Sequence, residues 1–124
     1  MWRPHAGEGG VFYGIYEPGG TLVGVVDFVV SGFDGQPDLG YVSLIMIANR
    51  FRGKGIGGEV VNLVEKACRQ ELHVTGIRAS VQVNNPDALR FWRNNGHRVI
   101  GGPELRPDQT TVFHLEKDLS DQAQ

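Results

Sequence analysis

Apolar and polar residues show no period over residues 1–10, a strand-like pattern in segments between Val11 and Ile47, and a helical period in two later segments. Val11 to Tyr16 and Leu22 to Val30 are rich in β-branched and aromatic residues. Glu17-Pro18-Gly19-Gly20 between them places proline and glycine as a type II turn uses them, so a β-hairpin is predicted. Ser31 to Leu39, with two glycines, two aspartates and a proline, reads as a loop into a third strand from Gly40 to Ile47. From Ile56 to Leu72, Ile56, Val60, Leu63, Val64 and Ala67 recur on one helical face. Glu59, Asn62, Glu65, Lys66 and Arg69 are then left toward water, and Glu65 and Arg69 are spaced to pair one turn apart. Gly76 precedes a fourth strand, Ile77 to Val83. Asn85-Pro86-Asp87 then supplies a helix cap, a proline at the first helical position and an early acid. That second helix carries Ala88, Leu89, Phe91 and Trp92 and stops at Asn94-Asn95-Gly96. Two late strands follow near His97 to Ile100 and Thr111 to Lys117, separated by a Gly101-Gly102-Pro103 turn and a polar loop. Residues 1–10 read as a loose arm and 119–124 as a flexible tail. The predicted order is β-β-β-α-β-α-β-β. It implies an α/β (α+β mixed) domain whose mostly antiparallel sheet of about six strands carries two principal helices.

Composition narrows the chemistry. A chain of 124 residues has room for one core and hence one domain. Hydrophobic residues make up 40% and charged residues 21%, ordinary for a globular protein, and no apolar run reaches the 18 or so residues of a membrane span. The polar, glycine-rich opening predicts no secretory leader. A net charge of −2 offers no footprint for nucleic acid, so neither nucleic acid nor membrane is expected as a partner. One cysteine forms no internal disulfide and no cysteine metal cage; no metal is expected, and a reducing cytoplasm is the predicted location.

Against that slightly acidic background, Arg52-Gly53-Lys54-Gly55-Ile56-Gly57-Gly58 stands between an apolar strand and an amphipathic helix. The first turn of a helix leaves backbone N–H groups without internal acceptors. With the positive end of the helix dipole, they attract an anion. Gly53, Gly55 and Gly57 lack the Cβ atoms that would block a diphosphate, while Arg52 and Lys54 add charge. The segment has no Lys-Ser/Thr end of an ATP-binding loop, and no acidic ribose partner follows a second strand, so both of those nucleotide sites are disfavoured. A glycine-rich turn that binds nothing is the remaining alternative.

The chain resembles the GNAT-type N-acetyltransferase family over about residues 11 to 118. The family's Arg/Gln-x-x-Gly-x-Gly/Ala motif is met by Arg52, Gly55 and Gly57. Its later motif, an asparagine, an alanine three residues on and an aromatic before a Gly-Phe pair, is met by Asn85, Ala88, Trp92 and Gly96-His97. The resemblance implies acetyl-CoA as co-substrate and transfer of its acetyl group to a primary amine by direct attack. It implies that the peptide amides from Arg52 to Gly58 hold the diphosphate, that the edge formed by Ile45, Met46 and Ile47 pairs with the pantetheine arm, and that Asn85 bonds to that arm. A strand N–H there is placed to stabilise charge on the thioester oxygen.

Three departures from the family pattern stand out. The family opens with a strand and two helices before the hairpin, where this chain has only residues 1–10, so a homodimer is expected to complete the acceptor side. Trp92 stands where a tyrosine often protonates the leaving thiolate, and an indole N–H is no usable acid. No glutamate stands on the strand before the turn, yet an alkyl ammonium must lose a proton before attack, at about 4 to 5 kcal/mol near pH 7. Asp27, which interrupts the apolar run Leu22 to Val30, is the first candidate base, and Tyr41 as a conduit to water the second. His73, His97 and His114 read as structural, and Cys68 as a small apolar filler. A CoA-binding or assembly module without catalysis is the alternative function, and a small ligand-free domain the third.

Overall fold

A computed structural model describes residues 2–6 and 11–120; at 2–6, 11 and 12 only the backbone is described. Residues 7–10 of the expected arm and 121–124 of the expected tail fall outside the described residues. Seven strands form one sheet: β1 (Trp2–Ala6), β2 (Val11–Tyr16), β3 (Leu22–Val29), β4 (Leu39–Ile47), β5 (Gly76–Gln82), β6 (Arg98–Leu105) and β7 (Thr111–Asp118). The sheet order is β1-β2-β3-β4-β5-β7-β6, antiparallel throughout except for β4 and β5. Helix α1 (Ile56–Arg69) crosses from β4 to β5, and α2 (Pro86–Asn94) follows β5.

The six expected strands and both helices are present, and β1 is the addition. It pairs with β2 over Trp2↔Ile15 to Ala6↔Val11. The sequence hid it because Pro4 breaks the strand pattern, yet proline is tolerated on an edge strand whose outer N–H is not needed. The start of the expected flexible tail is held in place. Leu119 is buried and its N–H bonds the Thr75 carbonyl at 2.8 Å, which draws the chain end onto the core.

The hairpin turn also differs from expectation. Gly20 N–H bonds the Glu17 carbonyl at 2.8 Å, but Gly20 rather than Gly19 takes the positive φ, so the turn is not type II. A bulge at Ile15/Tyr16 absorbs the extra residue. Gly101-Gly102-Pro103 is not a separate turn. It lies inside β6, where two register shifts interrupt the ladder with β7.

One face of the sheet is packed against the helices. Ile15, Val23, Val26, Phe28, Val42, Ile77, Ala79, Val81 and Leu115 point into it and meet Val60, Val61, Val64 and Cys68 of α1 and Trp92 of α2. The helix ends at Arg69, three residues before the expected Leu72, which is 95% exposed. Its buried stripe is also broader than predicted. It takes in Val61, Cys68 and, against expectation, Glu65, which is 3% exposed. Lys117 of β7 explains the buried acid: its Nζ donates to both Glu65 carboxylate oxygens at 3.0 and 3.1 Å and to the Asn95 carbonyl at 3.3 Å. Arg69 pairs with Glu65 at 3.5 Å, at the expected spacing. A single ammonium thus joins α1, the end of α2 and β7.

His97, just past α2, is 3% exposed, sits edge-on to Trp92 with centroids 4.8 Å apart, and among the described residues has no hydrogen-bond partner on either ring nitrogen. Burial pushes its pKa down from 6.5 to about 4, and nearby Lys117 adds to the lowering. Burial likewise raises the Cys68 thiol to about 11, with Glu65 adding to the rise, so Cys68 stays a protonated core filler.

Two outcomes follow for stability. Lys117→Met leaves Glu65 charged and buried without its main partner, and urea titration should show a loss of about 3 kcal/mol, most of it recovered when Glu65→Leu is added. His97 stays neutral in the fold but takes a proton in the unfolded chain below pH 6.5. Stability from this residue is therefore complete above pH 6.5 and falls as the pH drops toward 4, by up to about 3 kcal/mol. In His97→Phe this part of the acid loss should vanish; an unchanged acid titration of that variant would refute the assignment.

Candidate functional site

The site begins at a defect in β4. Phe28 pairs with Val42 and Asp27 with Leu44, which leaves Ser43 as an extra residue without a partner on β3. Its hydroxyl caps the irregularity by donating to the Asp27 carbonyl at 3.1 Å. Such a bulge bends its strand. The parallel pairing of β4 with β5 covers Leu39↔Gly76 to Val42↔Ala79 and ends immediately before the bulge. Beyond it the two strands part, and the β5-side edge of β4 from Ser43 to Ile47 is unpaired by β5.

The chain leaves β4 through a single 3₁₀ turn, Asn49–Phe51. Arg52 folds back so that its Nε donates to the Ile47 carbonyl at 2.9 Å, fixing the loop to the strand end. Gly53 and Gly55 have φ of 77° and 79°, a conformation that L side chains rarely adopt, and both face open space. Gly55 is the N-cap of α1, and no side chain caps the first turn. The N–H groups of Ile56, Gly57 and Gly58 therefore have no helical acceptor. Gly57 is small for a different reason. A Cβ there would come within 2.8 Å of the Phe91 ring, so the glycine lets α1 and α2 approach closely.

Helix α2 forms the opposite wall. The Asn85 side-chain Oδ1 accepts from Ala88 N–H at 3.1 Å and so caps the helix, and the amide Nδ2 has no acceptor among the described residues. Phe91 and Trp92 meet edge-to-face at 5.3 Å, and Trp92, 7% exposed, is mainly a core side chain that shows one edge to the cleft. Between the walls lies a cleft of about 590 Å³.

Eleven of the residues singled out from the sequence line it: Ile45, Met46, Ile47, Arg52, Gly53, Gly55, Ile56, Gly57, Gly58, Asn85 and Trp92. Lys54 is not in the lining; its ammonium lies 5.8 Å from the Phe51 ring centroid. The candidate bases Asp27 and Tyr41 are also outside it. Strand alternation puts both on the sheet face opposite the helices, since their neighbours Val26, Phe28 and Val42 are in the helical core. The Asp27 carboxylate makes no hydrogen bond or ion pair with the described residues, whereas Tyr41 stacks on Phe33 at 4.1 Å and donates to Ser80 Oγ at 3.2 Å. Sequence reading missed Phe51, Asp87, Ala88 and Phe91 in the lining. The helical spacing of Ala88 and Phe91 from Asn85 could have shown two of them.

A family model described as the Acetyltransferase (GNAT) family matches residues 2–97. No functionally curated protein matches the chain. Among solved structures, a nourseothricin acetyltransferase superposes with a TM-score of 0.73 at 20% identity, covering 90% of this chain and 66% of that one. A variant of the spermidine N-acetyltransferase from Vibrio cholerae gives 0.74 at 17% identity, covering 94% of this chain and 69% of that one. The chain thus spans just under two thirds of the first of these and slightly more of the second. With a family model matched over most of its length, and a sheet that forks beside a glycine-led helix, this chain belongs to the acetyltransferase (GNAT) family.

Proposed function

We propose that the protein transfers an acetyl group from acetyl-CoA to a primary amine by direct attack in a ternary complex. The observation that carries this reading is the uncapped, positive-φ glycine start of α1, opening into an apolar cleft that ends at a strand fork. Free N–H groups at Ile56 to Gly58 suit the diphosphate, with Arg52 and Lys54 as nearby cations. From Ile47 back to Ser43 the free edge of β4 runs for about 13 Å. An extended pantetheine arm bonded to it carries the thioester toward the fork. There an N–H of β4 meets the carbonyl oxygen as charge develops during attack, and Asn85 Nδ2 bonds the arm from the opposite wall. Trp92 contributes packing beside the sulfur. The buried, protonated Cys68 supports attack without a cysteine nucleophile. An amine acceptor is supported by the spermidine N-acetyltransferase among the similar folds. Holding amine and thioester in line supplies most of the acceleration.

The sheet face opposite the helices exposes Met46 at 53% and Val29 at 43%. We place a second copy of the chain there, forming the acceptor wall of a homodimer in the cytoplasm. Sedimentation velocity at micromolar concentration should give the dimer mass; a monomer that turns over would refute the pairing. A CoA-binding module without catalysis is the second reading, favoured by the absence of a phenol at Trp92.

Calorimetry with acetyl-CoA and release of free CoA across an amine panel separate the two. Arg52→Glu and Gly55→Glu should each weaken acetyl-CoA binding at least tenfold, with circular dichroism confirming the fold. Unchanged affinity in both variants would refute the cradle, and binding without turnover on any amine would establish the second reading.

A further inference from the structure

Four strands and the loop after β6 bring a polar chain together on the sheet face opposite the helices, at the vertex of the fork. Ser80 of β5 stands at its centre, with its Oγ 3.2 Å from the Tyr41 hydroxyl, 3.0 Å from Arg106 Nη2 and 3.4 Å from His114 Nδ1. His114 Nε2 in turn lies 2.5 Å from Glu104 Oε1. With the imidazole neutral, counting donors and acceptors orders these bonds in one way. A carboxylate only accepts, so the neutral imidazole carries its proton on Nε2 and leaves Nδ1 as an acceptor, which only the Ser80 hydroxyl can supply. Arg106 only donates. Both Ser80 lone pairs are therefore filled by Arg106 and Tyr41, and among the described residues no group donates to the Tyr41 oxygen.

This ordering excludes Ser80 as an acyl-accepting nucleophile, despite the serine-histidine-glutamate arrangement, because its lone pairs are already engaged. The geometry points instead to a proton relay, Tyr41 to Ser80 to His114, that removes the proton from the incoming ammonium. The inference rests on the acetyl-transfer reading above and supplies its base. An ammonium at the fork donates to the Tyr41 oxygen as the Tyr41 proton passes to Ser80 and the Ser80 proton to His114 Nδ1. The imidazolium formed is held by Glu104. The freed amine lone pair then forms the C–N bond, the C–S bond breaks, and the second amine proton goes to the departing thiolate. His114 is 30% and Glu104 60% exposed, so the collected proton leaves to water.

The ring that would touch the amine is already fixed. Tyr41 and Phe33 stack with planes 7° apart, which holds the phenol against Ser80. The charged groups facing His114 are Glu104 and Arg106 from β6 and its following loop, Arg78 from β5 and Glu116 from β7. The last two are paired at 2.9 Å and neutralise each other locally. Histidine is the side chain suited to accept a proton near neutral pH. Tyr41 would thus be a catalytic residue, and Ser80, His114 and Glu104 would act through it.

The test compares benzylamine, protonated at neutral pH, with aniline, similar in shape but uncharged there, each with acetyl-CoA. Tyr41→Phe keeps the Phe33 stack, Ser80→Ala breaks the relay at its centre, and Ser80→Thr restores the hydroxyl. Tyr41→Phe and Ser80→Ala should lose at least tenfold in kcat/KM with benzylamine but less than threefold with aniline. Their benzylamine pH profiles should move upward by a unit or more, and Ser80→Thr should recover most of the rate. Equal losses on both nucleophiles, or no loss on either, would overturn the relay while leaving acetyl transfer intact. A parent enzyme that binds acetyl-CoA yet acetylates neither probe would overturn both.

Discussion

A single unpaired residue, Ser43, sets the geometry on which the site depends. Parallel strands in a continuous sheet satisfy each other's backbone, and a sheet paired to its ends would leave no internal edge for a ligand. The extra residue in β4 makes the strand bend just where its pairing with β5 stops. Antiparallel pairing with β3 resumes beyond the bulge through Ile47↔Gly24, so β4 stays anchored on one side while its other side opens. The cleft walls, the free strand edge and the polar chain at the vertex are all placed by this one irregularity.

The elements around the fork are held by unequal means. The core beneath the sheet is an ordinary apolar contact between α1, α2 and the strands, but the links among their ends are polar and few. Lys117 bridges α1, α2 and β7, and His97 fills space beside Trp92 without a hydrogen bond. Buried polar groups of this kind add little net stability relative to apolar replacements, yet their geometry allows one arrangement.

What could be read in the sequence was local. The glycine turn, the Asn85 cap and the two amphipathic helices are each encoded within a few consecutive residues, and each begins where expected. Features that depend on which strands become neighbours were hidden. The bulge is invisible without the register of β3 against β4. The relay joins Tyr41, Ser80, Glu104 and His114, residues 10 to 39 positions apart along successive contacts. The helical pattern alone turns Glu65 toward solvent because its partner stands 52 residues away. Strand β1 forms because its backbone pairing with β2 outweighs a side-chain pattern broken by Pro4.

Gly57 has a consequence beyond making room. Because its missing side chain lets the Phe91 ring rest directly on the start of α1, the diphosphate cradle and the aromatic wall share one contact. The spacing between the two helices therefore works as a gauge. A methyl group at that point would act as a shim, pushing the Phe91 ring off the start of α1 and so shifting the aromatic wall relative to the cradle.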